Sequence, residues 1–406
     1  MSRRKKIWSM SASAVAILML VSACGSGGGD TKGSSSGPAD FTVGAPVPLT
    51  GPTALTGQQM LSGIKYAAQE FNDAGGLDGA KVKVLEADTT GEPNRSATVA
   101  TKLVSQDGVD AIVGGFGSTA DLAMMQALRA KEPVVVHAGS SSVKIEKAVG
   151  AEDWYFHVYP WDYYRQEAAA TFLESLNPKP KTVAIAYEDG LYGSDSNESA
   201  KKYFGGKFDI VVDEPFKTGS ADFSAILNRV KAENADVLFV VGYGGDNVKI
   251  VQQVNTLGIK LPATLVLANG QTQSDYGDSG EGLFTLDTWS ANEKVEGLES
   301  FIEGYKKFAG AETAQSPVVQ GYTAMKVYLD AVKKAGSVDK AKVEAALGEM
   351  TFTTPYGEVD FNKSEEGGTH QLLTSKNFVT VQYQGTDSPV VWPKEVASAE
   401  SVYPAR

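Results

Sequence analysis

Between Phe41 and Leu267 the chain alternates short apolar runs with stretches of helical periodicity, and it does so in two successive blocks. In the first, Phe41, Val43, Ala45 and Val47 alternate as a strand. Met60, Leu61, Ile64, Ala67, Ala68 and Phe71 then fall at helical spacing. Further strands are predicted at 81–87, 111–115 and 133–136, with helices over 93–105 and 118–130. The pattern restarts with strands at 183–186, 209–212, 237–241 and 264–267, and with helices over 171–176, 196–204, 223–232 and 246–257. Continuous Val/Ile runs separated by helices predict parallel sheets covered on both faces. The expected fold class is therefore α/β, with two doubly wound parallel-sheet lobes. The last third, with helices near 294–308, 316–335 and 338–347 and short strands near Val359, Phe378–Val381 and Val390, is too small for a third lobe. It is expected to cross back and add elements to both.

The start of the chain has a different texture. Arg3, Arg4, Lys5 and Lys6 precede an apolar stretch from about Ala12 to Val21, and Leu20-Val21-Ser22-Ala23 leads into Cys24, the only cysteine. A basic start, a short apolar core and small residues before a cut describe a signal peptide over 1–23. That core is shorter than the roughly 20 residues a spanning helix needs. A cysteine at the cut resembles the lipobox of bacterial lipoproteins, in which the thiol is alkylated by a diacylglyceryl group. Residues 24–38, rich in Gly and Ser, read as a lipidated flexible tether.

The formal charge is −12, and removing the leader's four cations leaves −16. That balance argues against nucleic acid, which needs clustered cations. With Cys24 committed, no internal disulfide and no thiolate zinc site are available. His137, His157 and His370 lack metal-ligand spacing. Neither a metal nor a cofactor is expected. Gly115-Phe116-Gly117-Ser118-Thr119-Ala120 fits a dinucleotide pattern but follows the third strand of its lobe and lacks the acid about 20 residues on. Gly277-Asp278-Ser279-Gly280 echoes a protease segment in a chain without that all-β, disulfide-bonded context. Three scattered histidines give an enzyme little to work with.

Ligands of open α/β sheets bind at the carboxyl ends of the strands. In the first lobe, Ser118 and Thr119 open a helix there as candidate caps, whose hydroxyls also suit a carboxylate. One strand on, His137-Ala138-Gly139-Ser140-Ser141-Ser142 forms a second hydroxyl-rich loop. In the second lobe, Glu188-Asp189-Gly190-Leu191-Tyr192 and Gly242-Tyr243 put a tyrosine at the same kind of edge.

The segments GAPVPLTGPTALTGQQMLSGIKYAAQEFNDAGGLDG, KLVSQDGVDAIVGGFGS, YEDGLYG and VVWPKEVA closely resemble branched-chain amino-acid-type substrate-binding proteins of ABC transporters, over about Phe41 to Ala397. The resemblance implies a type I periplasmic-binding-protein fold whose two lobes are joined by three crossing segments. These would lie near 156–159, 282–286 and 351–356, giving lobe I as 39–157 plus 287–352 and lobe II as 158–286 plus 353–406. It implies no catalysis. A small polar ligand, most simply an amino acid, would be held between closing lobes and delivered by a monomeric receptor to a membrane permease. A sensor of the same fold and an extracellular hydrolase are the other classes considered. Carried over by position, the serine that holds a carboxylate falls on Ser118, the loop that contacts both carboxylate and ammonium on Gly139 and Ser141, and second-lobe rings on Tyr192 and Tyr243, with Thr119 and Ser140 as further ligand-binding candidates. Thr56 occupies the aromatic lid position without a ring, and Tyr322 is a further expected contact. The acid that pairs with a ligand ammonium aligns with Asn269. Asp246 or Glu188 would then have to replace it, or the ligand is an amide, a urea-like compound or an amine-free carboxylate.

Overall fold

The computed structural model describes residues 39–404 apart from 294, 296, 311 and 312. The signal segment, Cys24 and the tether lie outside the described residues.

The first block runs β1 (Phe41–Val47), α1 (Ala54–Asp73), β2 (Val82–Asp88), α2 (Pro93–Ser105), β3 (Ala111–Gly114), α3 (Ser118–Leu128), β4 (Val134–His137), α4 (Val143–Val149) and β5 (Tyr155–His157). The second runs α5 (Asp162–Ser175), β6 (Thr182–Glu188), α6 (Leu191–Phe204), β7 (Asp209–Phe216), α7 (Ser224–Ala232), β8 (Val237–Val241), α8 (Gly244–Thr256), β9 (Ala263–Leu267), α9 (Gln273–Tyr276) and β10 (Phe284–Asp287). The remainder adds α10 (Leu298–Ala309), α11 (Ser316–Ala335), α12 (Lys340–Glu349) and six short strands. These are β11 (Thr351–Thr354), β12 (Gly357–Asp360), β13 (Asn362–Lys363), β14 (His370–Gln371), β15 (Val379–Gln382) and β16 (Val390–Trp392).

Two seven-stranded sheets result, ordered β13-β14-β5-β4-β3-β1-β2 and β16-β15-β10-β9-β8-β6-β7. In each, the five block strands pair in parallel in the same 2-1-3-4-5 order, so strand order reverses beside β1 in one lobe and beside β6 in the other. That reversal opens a crevice at the carboxyl edge, the position at which such sheets take ligands. All residues of β3 and β8 are buried, as expected where helices cover both faces.

By sheet membership, the chain passes between sheets near 158–161, after β10 and near 372–378, where the expected crossings were 156–159, 282–286 and 351–356. β11 and β12 form a separate hairpin, and β13 and β14 join the first sheet. Two-residue strands carry no alternation that a sequence reading can detect. Helix α11 lies in a tight pair with α1. A Cβ at Gly63 would overlap the Val318 carbonyl, and one at Gly321 would overlap that of Met60. This crossing fixes the start of α1, and with it Thr56, over the cleft.

Candidate functional site

Four segments of the first lobe reach the cleft, one of them the start of α11 through Pro317 and Gln320. Gly115 and Gly117, at φ +94° and +97°, let the chain leave β3 and enter α3 in a conformation that disfavours side chains. Ser118 therefore begins α3 with its hydroxyl buried in the crevice, where Oγ accepts from the Ser141 amide at 3.4 Å. Neither Ser118 nor Thr119 caps the helix, since the cap position is Gly117. The second segment is the loop after β4, whose three serines have three different partners. Ser140, in the left-handed region at φ +62°, donates to Asp121 Oδ2 at 2.5 Å and stays with its own lobe. Ser141 donates to Asp162 Oδ1 of α5 at 2.8 Å, and Ser142 caps α4 while donating to Asp195 of α6. The third is α1, from which Thr56 Oγ1 donates to the Asn269 carbonyl at 3.2 Å.

The second lobe answers with α5, α6 and the loops after β8 and β9. Arg165, 2% exposed, donates from Nη2 to Ser141 Oγ and Ser196 Oγ, both at 2.8 Å, and to Asp162 Oδ1. Its guanidinium lies 4.9 Å from the centre of the Tyr192 ring and 6.0 Å from that of Tyr159. Tyr243 packs its ring 5.2 Å from Tyr192 and 5.8 Å from Phe116 of the other lobe. Asn269 donates its amide to the carbonyls of Gly242 and Leu267, at 3.0 and 3.1 Å.

These residues line a narrow cleft with a cavity volume of about 20 Å³. Of the sequence-predicted residues, Thr56, Ser118, Gly139, Ser140, Ser141, Tyr192, Tyr243 and Asn269 line it. Thr119, Asp246 and Tyr322 do not. Thr119 Oγ1 accepts from the Leu191 amide across the lobe boundary at 3.1 Å. Asp246 accepts from the Gly219 amide at 2.9 Å. Tyr322 is held in the first-lobe core by stacking on Tyr66 and by donating to Glu70 at 2.6 Å. Glu188, considered as a replacement for the missing acid, is also committed: its two oxygens accept from the amides of Gly190 and Gly193, at 2.6 and 2.7 Å. Phe116, Tyr159, Arg165, Pro317 and Gln320 line the cleft without having been predicted.

Among the described residues, Arg165 is the only charged side chain in that wall and no carboxylate lines it. A serine-hydrolase relay is not assembled either. His137 Nε2 and Ser140 Oγ both bind the same oxygen of Asp121, so the histidine is not positioned between acid and nucleophile.

Burial leaves several acids with raised pKa values. Asp162 is pushed up to about 7 by desolvation, against the pull of Arg165 and of the Ser196 and Ser141 hydroxyls. Burial likewise takes Asp287 and Glu293 up to about 7. From their ordinary values near 3.8 and 4.5 up to about 7, these groups hold more protons folded than unfolded, so their contribution to stability falls as pH rises through that window. Buried His157, lowered to about 3 by desolvation, opposes this, but only below its ordinary 6.5. The melting temperature is therefore expected to be higher at pH 6 than at pH 8. A scanning-calorimetry series in which it is lower at pH 6 would contradict these assignments.

Residues 40–386 match the family described as periplasmic binding protein. A Leu/Ile/Val-binding protein homolog 7 from Brucella melitensis is 27% identical over 391 residues, covering 91% of this chain and 95% of the relative. Among solved structures, the branched-chain amino acid transporter substrate-binding protein LivJ from Streptococcus pneumoniae, in complex with isoleucine, superposes with a TM-score of 0.77. It is 21% identical, and the match covers 90% of this chain and all of that one. A solute-binding protein of an R. palustris ABC transporter, in complex with benzoate, gives 0.78 at 18% identity, covering 90% and 98%. Among the described residues no helix is long and apolar enough to cross a membrane. With its paired 2-1-3-4-5 sheets and an enclosed cleft between them, the chain belongs to the periplasmic binding protein family of extracytoplasmic solute receptors, which are binding proteins and not enzymes.

Proposed function

We propose that this chain is the lipid-anchored receptor of an ABC importer. It closes two lobes on a small carboxylate outside the cytoplasmic membrane and presents it to the permease. The observation that carries the reading is the convergence of Ser118, Ser141 and Arg165 on one enclosed cleft. Hydroxyls and a guanidinium are the donors a carboxylate needs. The segments near 158–161, 288–293 and 372–378 act as the hinge. Contacts drawn from both lobes favour the closed arrangement only by the ligand's differential affinity for it. Diacylation of Cys24, with 25–38 as a leash, keeps a monomeric receptor beside its permease at raised effective concentration.

A thermal-shift screen of the mature protein against small carboxylates tests the binding claim. The best ligand should bind Ser118→Ala more weakly by about 1.5–3 kcal/mol, the worth of a hydrogen bond to a charged group. Unchanged affinity in this variant would place the carboxylate elsewhere.

A further inference from the structure

Resting on the carboxylate reading, we infer that the solute is an aromatic carboxylate without an ammonium group, and that this chain discriminates against α-amino acids. The first argument is charge. Arg165 is buried and lines the cleft, and among the described residues its Nε has no partner and the wall offers no anion to an ammonium. The nearby acids stay outside that wall. Glu188 is bound by two backbone amides and Asp246 by one, while Asp162 pairs with Arg165, takes three donors on Oδ1, keeps Oδ2 buried without a partner and does not line the cleft. Where a paired acid would serve an amino acid, Asn269 spends its amide nitrogen on two carbonyls. An ammonium enclosed here would lose its water beside Arg165, a like charge, and find in the wall neutral acceptors but no carboxylate.

The second argument is shape. Rings from both lobes line the cleft, with Tyr243 in tilted contact with Tyr192 at 5.2 Å and with Phe116 of the other lobe at 5.8 Å. Tyr159 adds a fourth ring beside Arg165. A flat ring held in the cleft packs against these rings in offset or edge contacts, with its carboxylate directed to the guanidinium and hydroxyls. An aliphatic side chain fills part of the same space without those contacts.

The test is calorimetric titration of the mature protein, dialysed free of bound solute, with benzoate, 4-hydroxybenzoate, benzamide and L-leucine. The inference expects an aromatic carboxylate to bind at least about a hundredfold more tightly than leucine, corresponding to roughly 2.7 kcal/mol, with benzamide bound weakly or not at all. Leucine binding as tightly as either aromatic acid would overturn the inference while leaving the carboxylate reading standing. Benzamide matching benzoate, or no binding by any of the three carboxylates, would overturn both.

Discussion

Replacing Arg165 by methionine is expected to abolish high-affinity binding. Methionine keeps much of the length and apolar stem while removing the charge. Truncating one member of a buried, hydrogen-bonded charge pair costs about 2–5 kcal/mol, or roughly thirty- to several-thousandfold in affinity. A stability effect accompanies it, because Asp162 would lose the cation on its Oδ1 within a fully buried site. The double variant Arg165→Met/Asp162→Asn separates the two consequences. With no charge stranded, its melting temperature should recover toward the parent's, while ligand affinity stays lost. If the double variant regained both stability and affinity, Arg165 would be a structural partner of Asp162 and not a ligand group. Isothermal titration beside thermal denaturation of the three proteins reads both effects at once.

The second large effect concerns location. Cys24→Ser is expected to move the protein from the membrane to the soluble fraction, because serine lacks the thiolate nucleophilicity that the alkylation requires. One acyl chain gives only marginal membrane binding, whereas a diacyl thioether supplies the two chains that stable anchoring needs. Ligand affinity in solution should be unchanged, since every cleft residue lies beyond the tether. Fractionation of cells expressing the two forms, with titration of the purified proteins, checks both halves. Equal membrane retention would remove the lipid anchor from the account.

How much of this was legible in the chain differs by element, for physical reasons. Val237–Val241 and Ala111–Gly114 announced themselves because strands buried on both faces carry unbroken apolar runs. Ser118 and Ser141 were accessible to reasoning because a rule of sheet topology locates the ligand edge before any side chain is placed. Arg165 was not. It sits in the first turns of α5, which is buried on nearly every side and so lacks the apolar periodicity that marks a helix, and only 171–176 reads as helical from the sequence. An arginine flanked by Tyr163, Tyr164 and Trp161 just after a predicted crossing was the available signal. Glu188 and Asp246 misled for the opposite reason. Acids beside glycine-rich turns are as readily claimed by backbone amides as by a ligand, and sequence does not record which. Tyr322 fell on the face of α11 packed against Tyr66 and Phe301, which helical spacing alone leaves open.

The most direct measurement is mass spectrometry of the small molecule released when natively purified protein is denatured. The account predicts a single carboxylic acid recovered intact and in near-stoichiometric amount, and lost from the Arg165→Met/Asp162→Asn variant. Recovery of a cation, a neutral amide or a cleaved product would contradict it.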